Sequence, residues 1–353
     1  THCVVTYVDA EGELQTVTDE HGNSIIPSLV RYGARIVAGH RALEKEEGAT
    51  LISDGRYTAQ VAEESRLPTD IVPSSTLWPA RVLELAKPYK LAFEADHLTY
   101  AQVEAFREGL EHDPIPTIGL VSDLRLIKTS KEIDTIRQAA AITDRAFTHI
   151  LNVIKAGISE VDVALEIETF MRRNGAEGKA FDITVASGYR SSMPHGTASP
   201  KIIETGELVT LDYGATVDGY HSDMTRTVAV GEVSEKERQM YDAVLETQQV
   251  ALEAVGPEKD GKAIDALARE TLKKHGLEEY FTHGLGHGVG LEVHEAPSMN
   301  FRKSATLKPG MTVTVEPGVY IPGEAGVRIE DLAVVTEDGY ECLSQSSKEF
   351  IQL

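Results

Sequence analysis

Cysteine is almost missing: Cys3 and Cys342 are the only two in 353 residues. Two isolated thiols make neither a disulfide framework nor a Cys-x-x-Cys zinc site, and such scarcity fits a reducing compartment. Long apolar runs are missing too; none approaches the ~18 residues that cross a bilayer. The opening residues lack a basic stretch followed by an apolar one, so no secretory signal is expected. The expected location is the cytoplasm, with no membrane partner. Positive charge is short as well. Lys and Arg total 34 against 56 Asp and Glu, a net charge of −22. That balance leaves no basic face for phosphate backbones, so no nucleic-acid partner is expected. Acidity of this kind mostly serves solubility, although part of it, gathered at one point, would make a cation site.

What is present is an ordinary globular balance, 41% apolar and 25% charged, long enough for two domains and for a core without staples. The expected division is 1–125 and 126–353. Residues 1–122 mix strand-like runs, at 3–8, 25–30 and 50–52, with helical patterns at 81–86 and 99–110. Residues 111–117 read as a loop, because Pro114 and Pro116 interrupt both helix and strand pairing. Thr129 and Glu132 form a T-x-x-E capping box ahead of a helical pattern over 133–153. A second helix follows Ser159, with Val163, Ile167, Phe170 and Met171 at helical spacing and Gly175 where a C-terminal cap belongs. Residues 208–213, 311–315 and 327–335 read as strands.

The chemistry begins in Val209-Thr-Leu-Asp-Tyr-Gly-Ala-Thr-Val-Asp-Gly-Tyr-His-Ser-Asp223. Asp218-Gly219 is a two-residue hairpin signal. With that loop, 217 faces 220 and 214 faces 223, so Asp212 and Asp223 become diagonal neighbours on one face, about 7–8 Å apart at Cα. Two acids of a hairpin commonly face solvent, but the apolar flank 208–211 argues for a strand inside a sheet. Carboxylates aimed at one point repel unless protonated or bridged by cations. Next come His283-Gly-Leu-Gly-His-Gly-Val-Gly290 and His294. Its glycines let backbone approach something closely. The stretch lacks the Gly-Lys-Ser/Thr ending of a phosphate loop, whereas imidazole with carboxylate suits divalent transition metals. Glu316 closes an alternating strand. Glu330 is embedded in a largely apolar one, where a lone carboxylate is costly. Four carboxylates and an imidazole suffice for two adjacent divalent ions with room for water.

The order Asp212, Asp223, His287, Glu316, Glu330 resembles the pita-bread metallopeptidases, a family that includes methionine aminopeptidase, aminopeptidase P and prolidase. The resemblance runs from about residue 50 to the end of the chain. It implies an α/β (α+β) fold: a small mixed α/β amino-terminal domain and a carboxy-terminal pita-bread domain. It implies further that Asp223 and Glu330 bridge two ions, that Asp212 chelates one, and that His287 with Glu316 completes the other. Arg328 in Val-Arg-Ile-Glu330, and the presence of an amino-terminal domain, are similar to aminopeptidase P and prolidase rather than methionine aminopeptidase. His195 matches the family's substrate histidine, and His283 and His294 match two pocket histidines. Asp54-Gly-Arg-Tyr-Thr58 is similar to a strand motif of the smaller domain, with a structural role. Residues 1–47 lack the family's usual opening helix and Asn-x-x-Tyr-Leu-x-Gly-Phe strand. Residues 20–30 and 37–41 are similar instead to the opening of heat-shock chaperone ATPase domains, but no complete phosphate site accompanies them and no ATP site is expected.

The implied activity is hydrolysis of Xaa-Pro bonds in dipeptides or short peptides by a hydroxide activated between two metals, with aminopeptidase P action on longer peptides as the alternative reading and a catalytically inactive pita-bread binding protein as a third. Glu316 would shuttle the proton to the leaving nitrogen, His294 would stabilise the oxyanion, and His195 and Arg328 would orient the substrate. Oxygen-rich ligation permits manganese first, with cobalt or zinc also admitted. A homodimer is expected. A strand carrying both Arg328 and Glu330 would point them to the same side. From there Arg328 would hold a substrate carboxylate or orient Asp212, unless it pairs with Asp331.

Overall fold

The computed structural model describes residues 4–5, 7–8, 41–45, 48–65, 68–73, 78–86, 90–119 and 122–353. The expected strand over 25–30 and the chaperone-like stretch 20–30 lie outside them. Contacts divide the chain into two units, residues 1–125 and 126–353.

The first unit is mixed α/β. Its described elements are β1 (Val4–Val5), β2 (Tyr7–Val8), β3 (Arg41–Lys45), β4 (Gly48–Asp54), α1 (Thr58–Glu64), β5 (Thr69–Val72), α2 (Trp78–Ala86), β6 (Lys90–Glu94), α3 (Tyr100–Arg107), β7 (Ile115–Thr117) and α4 (Ser122–Arg125). They form sheets of order β1-β3-β4-β5 and β2-β6-β7. Ile52, Val72, Val82, Phe93 and Phe106 centre its core. The loop expected over 111–117 is corrected at its end: Ile115–Thr117 pairs parallel with β6, Pro116 opposite Phe93. Among the described residues β7 is the edge of its sheet, where one side needs no N–H, and Pro116 is tolerated there. Asp54 closes β4 and accepts from Arg56 N at 3.0 Å, Nε at 2.9 Å and Nη2 at 2.7 Å, contacts that lock the turn.

The second unit opens with α5 (Ser130–Ile150). The capping box is in place: Glu132 Oε2 accepts from Thr129 N at 2.7 Å. Ile136, Ala139, Thr143, Ala146, Phe147 and Ile150 make its buried stripe. The helix stops short of the expected Val153. Ser159 caps α6 (Glu160–Arg173), which buries Val163, Ile167 and Met171; Gly175, at φ +103°, leaves it through a conformation that glycine adopts freely. These helices cover β8 (Gly178–Lys179), β9 (Thr184–Ser187), β10 (Glu207–Tyr213), β11 (Ala215–Val217), β12 (Tyr220–His221) and β13 (Met224–Val230). In the second half, α7 (Glu235–Glu253) and α8 (Gly261–Lys274) share a core with β16 (Thr312–Val315) and its neighbours. That sheet runs β15 (Glu295–Met299), β14 (Gly286–Gly288), β16, β19 (Asp331–Val335), β20 (Tyr340–Cys342). Each fully buried Ile, Leu or Val of these cores contributes about 1.5–3 kcal/mol.

The single strand expected over 327–335 is two strands. β18 (Ala325–Arg328) pairs with β17 (Gly318–Ile321) in a two-stranded sheet, and β19 belongs to the five-stranded one. Ile329 and Glu330 form the break. Among the described residues no helix is long and apolar enough to cross a membrane. Cys342 is a free thiol pushed up to about 12 by burial.

Candidate metal centre

The hairpin register is the expected one. Asp212 pairs with Thr225 and Tyr213 with Met224, and beyond the break Val217 pairs with Tyr220. Asp218 (φ +47°) and Gly219 (φ +76°) supply the two left-handed residues that such a turn requires. At Gly214, opposite Asp223, an added Cβ would lie 1.7 Å from Ser222 O. Only glycine lets the two strands approach there, and the register puts Asp223 on the same face as Asp212.

β14 carries His287 between β15 and β16. The flanking glycines are packing devices. A Cβ on Gly286 would sit 2.0 Å from Thr314 O, and one on Gly288 2.2 Å from Ala296 O. The backbone they admit is that of neighbouring strands, not a ligand. His287 Nδ1 faces Gly288 O at 3.1 Å. Nδ1 therefore carries hydrogen, and Nε2 points into the acids: 3.2 Å from Glu316 Oε1 and 3.7 Å from Asp223 Oδ2. Glu316 follows β16, its amide held by Leu285 O at 2.9 Å. Glu330 sits in the break between β18 and β19, its amide donating to Thr225 O at 3.1 Å.

All nine residues expected at the site, Asp212, Asp223, His287, Glu316, Glu330, His195, His283, His294 and Arg328, line one cavity of about 590 Å³. Ligand atoms of Asp223, His287 and Glu330 lie within 4.8 Å of one another. Three buried oxygens, Asp212 Oδ1, Asp223 Oδ1 and Glu330 Oε1, have no hydrogen-bond partner. An orphaned buried carboxylate oxygen is costly, and three of them lining the cavity that also holds the His287 imidazole fit divalent cations. The electrostatics agree. Burial pushes Asp223 and Glu330 well above the carboxylate range, and neighbouring acids push the same way. Burial also raises Asp212 against the pull of Arg328. Glu316 is the exception: burial would raise it, but the hydrogen bond and charge of His287 hold it at about 2. Burial would lower His287, yet Glu316 lifts it to about 9. Without a cation the cluster is held together by protons that a cation would replace.

Arg328 reaches the site, though not along one continuous strand. Its Nη2 donates to Asp212 Oδ2 at 2.6 Å, Nε to Thr225 Oγ1 at 3.0 Å, and Nη1 to Tyr320 OH at 2.8 Å and Pro194 O at 3.1 Å. Of the two expected site roles, orienting Asp212 is the one the contacts supply. Asp331 does not pair with it but with buried Arg226, 2.7 Å away. Tyr320 accepts from Arg328, so its hydroxyl hydrogen goes to His283 Nε2, 2.9 Å away. His283 Nδ1 donates in turn to Gly284 O at 2.7 Å, and burial lowers this imidazole. His294 lies 4.3 Å from His287, ring to ring. Burial and the His287 charge lower it. His195 lines the cavity from an exposed position.

The sequence reading missed Thr225, Tyr320 and Arg226. Thr225 accepts from an arginine, which can only donate, so its hydrogen goes to Glu330 Oε2 at 2.7 Å. Its place two residues after Asp223 on one strand face was a usable signal. Arg226 donates to the carbonyls of Thr225 and Glu330, and to those of Ser346 at 2.8 Å and Ser347 at 3.1 Å. No local pattern announces that.

The profile of Metallopeptidase family M24 matches residues 134–337, and that of the Creatinase/Prolidase N-terminal domain matches 37–127. The Xaa-Pro dipeptidase of Pyrococcus furiosus is 40% identical over 314 residues, 89% of this chain and 89% of its own. The structure of an Xaa-Pro dipeptidase from Bacillus anthracis is 44% identical, with a TM-score of 0.87 over 99% of this chain and 95% of that one. The X-Pro aminopeptidase of Thermotoga maritima is 36% identical, with a TM-score of 0.79 over 88% and 89%.

Proposed function

The chain belongs to metallopeptidase family M24, and from that premise we propose how its residues perform metal-dependent hydrolysis of the bond before proline. Asp212, Asp223, His287, Glu316 and Glu330 hold the divalent ions. One observation carries this assignment: Asp223, His287 and Glu330 bring ligand atoms within 4.8 Å of one another, in a cavity where Asp212, Asp223 and Glu330 each keep a buried carboxylate oxygen without a hydrogen-bond partner among the described residues. Two bound cations supply a water acidic enough to attack at neutral pH and charge for the carbonyl oxygen.

The remaining work falls to side chains. Glu316, held anionic beside His287, takes the proton of the attacking water and passes it to the proline nitrogen, a secondary amine that must be protonated to leave. His294, adjacent to His287, donates to the oxyanion. Asp212, fixed by Arg328, receives the free α-amine, which limits cleavage to the first residue. His195 and His283 border the substrate. The resemblance supports manganese and a homodimer; the scarcity of cysteine supports a cytoplasmic setting.

A second reading, action on longer peptides, is favoured by the likeness to the Thermotoga maritima aminopeptidase. Protein stripped with chelator and reloaded with manganese separates the two. The dipeptidase reading expects proline release from Ala-Pro and little alanine release from Ala-Pro-Ala. Equal cleavage of both moves the assignment to the longer substrates, and no metal-dependent cleavage of either ends both readings.

A further inference from the structure

Glu160 is the first residue of α6, and its side chain is 0% exposed. An acid in the first helical turn ordinarily points to water and gains a little from the helix dipole. This one is driven inward, where a carboxylate costs several kcal/mol unless its oxygens are filled. They are. Oε1 accepts from Ser187 N at 2.8 Å and Ser187 Oγ at 2.9 Å. Oε2 accepts from Ser199 N at 3.1 Å, Ser199 Oγ at 2.6 Å and Arg190 Nε at 3.0 Å. Ser187 ends β9, and Ser199 lies on the far side of the loop that follows. One carboxylate therefore joins both stems of the segment 188–198. Arg190 adds a cross-tie inside it, donating from Nη2 to Thr197 O at 2.7 Å.

That segment carries His195 to the cavity. The His195 ring is exposed and makes no side-chain hydrogen bond among the described residues. Its backbone alone decides where it stands. The same segment offers Pro194 O to Arg328 and Ser191 Oγ to Gly326 N, 2.8 Å away. We propose that Glu160 is a positioning residue for the reaction: by joining the stems at Ser187 and Ser199, it holds His195 over the substrate. The proposal rests on His195 contacting substrate.

The test is a double-mutant cycle in manganese-loaded protein with Ala-Pro as substrate. Glu160→Gln keeps the shape but turns an amide donor toward a backbone N–H, of Ser187 or of Ser199 beside the Arg190 guanidinium, groups that can only donate. It is expected to lower kcat/KM at least about 10-fold in the wild-type background and no more than about 2-fold in His195→Ala, because coupled residues are non-additive. Manganese affinity, measured by calorimetric titration of the stripped protein, is expected to stay within about 2-fold of wild type, a change under about 0.4 kcal/mol. If Glu160→Gln does not fold, Arg190→Ala is read through the same cycle. Equal losses in both backgrounds, or metal affinity falling in step with activity, overturn the proposal and leave a purely structural acid. A silent His195→Ala overturns the reading of His195 first, and the proposal with it.

Discussion

Arg328 and Asp212, 116 positions apart, are joined by a 2.6 Å hydrogen bond from Nη2 to Oδ2. One lobe of Asp212 is thereby taken, and Oδ1 is the lobe left unpartnered. The guanidinium that fixes it also spans Thr225, Tyr320 and Pro194. A lysine carries the charge but not the fork. Arg328→Lys and Arg328→Ala are both expected to lower kcat/KM for Ala-Pro at least about 100-fold, about 2.7 kcal/mol, at saturating metal. A lysine variant within threefold of wild type would show that charge alone suffices.

Glu316→Gln removes an anion held beside His287 at 3.2 Å and the proposed proton carrier. A positioned acid–base group contributes about 10²–10⁴-fold, so kcat is expected to fall at least about 100-fold, read as proline release under metal saturation. Near-normal kcat assigns the proton to another group.

The stability of the metal-free protein is expected to depend on pH in a definite direction. His287 is raised to about 9, and Asp223 and Glu330 stand well above the carboxylate range. Between pH 6.5 and 9 the folded state binds more protons than the unfolded one at these groups, so stability falls as pH rises. Glu316, lowered to about 2, acts only in acid, below its ordinary value of 4.5. Melting temperature in chelator should therefore drop from pH 6.5 to 9, while manganese should restore it and release protons. A flat or rising profile in chelator contradicts the proton-filled cluster.

Arg226 and Asp331 are each 1% exposed and 2.7 Å apart. Removing one partner of such a pair costs about 3–5 kcal/mol. Lys348 and Gln248 also donate to Asp331. Asp331→Ala is expected to lose about that much in urea unfolding, and the loss should persist with metal bound. A change under 1 kcal/mol would mean that water or a shifted lysine takes over.

Proline preference is expected to appear as kcat/KM for Ala-Pro at least about 100-fold above that for Ala-Ala, roughly 2.7 kcal/mol of discrimination. Parity between the two substrates, or efficient cleavage of Met-Ala, leaves a two-metal peptidase without proline selectivity.

The hairpin register was legible because its cause is local: Asp218-Gly219 fixes the turn, and the pleat does the rest. That these acids and His287 would gather in one cavity was legible because such groups inside apolar strands have few other uses. What stayed hidden depends on partners far along the chain. Gly286 and Gly288 announced a close approach but not its partner, which is the backbone of Thr314 and Ala296. The break at Glu330 is invisible in an apolar run, since both β18 and β19 are buried on every residue. Pro116 forbids pairing on one side only, and that β7 is an edge is known only once the sheet is assembled.

The acids arrive in two local pairs, Asp212 with Asp223 and Glu316 with Glu330. The pairs are joined by contacts of long reach, Thr225 with Glu330 across 105 positions and Arg328 with Asp212 across 116. Closing a loop of ~100 residues costs about 2 kcal/mol more than closing one of ~10, and contacts of that reach slow folding. A refolding chain is therefore expected to hold two acidic hairpins before it holds a centre, so that metal capture by the proposed ligands waits on the long-range closure.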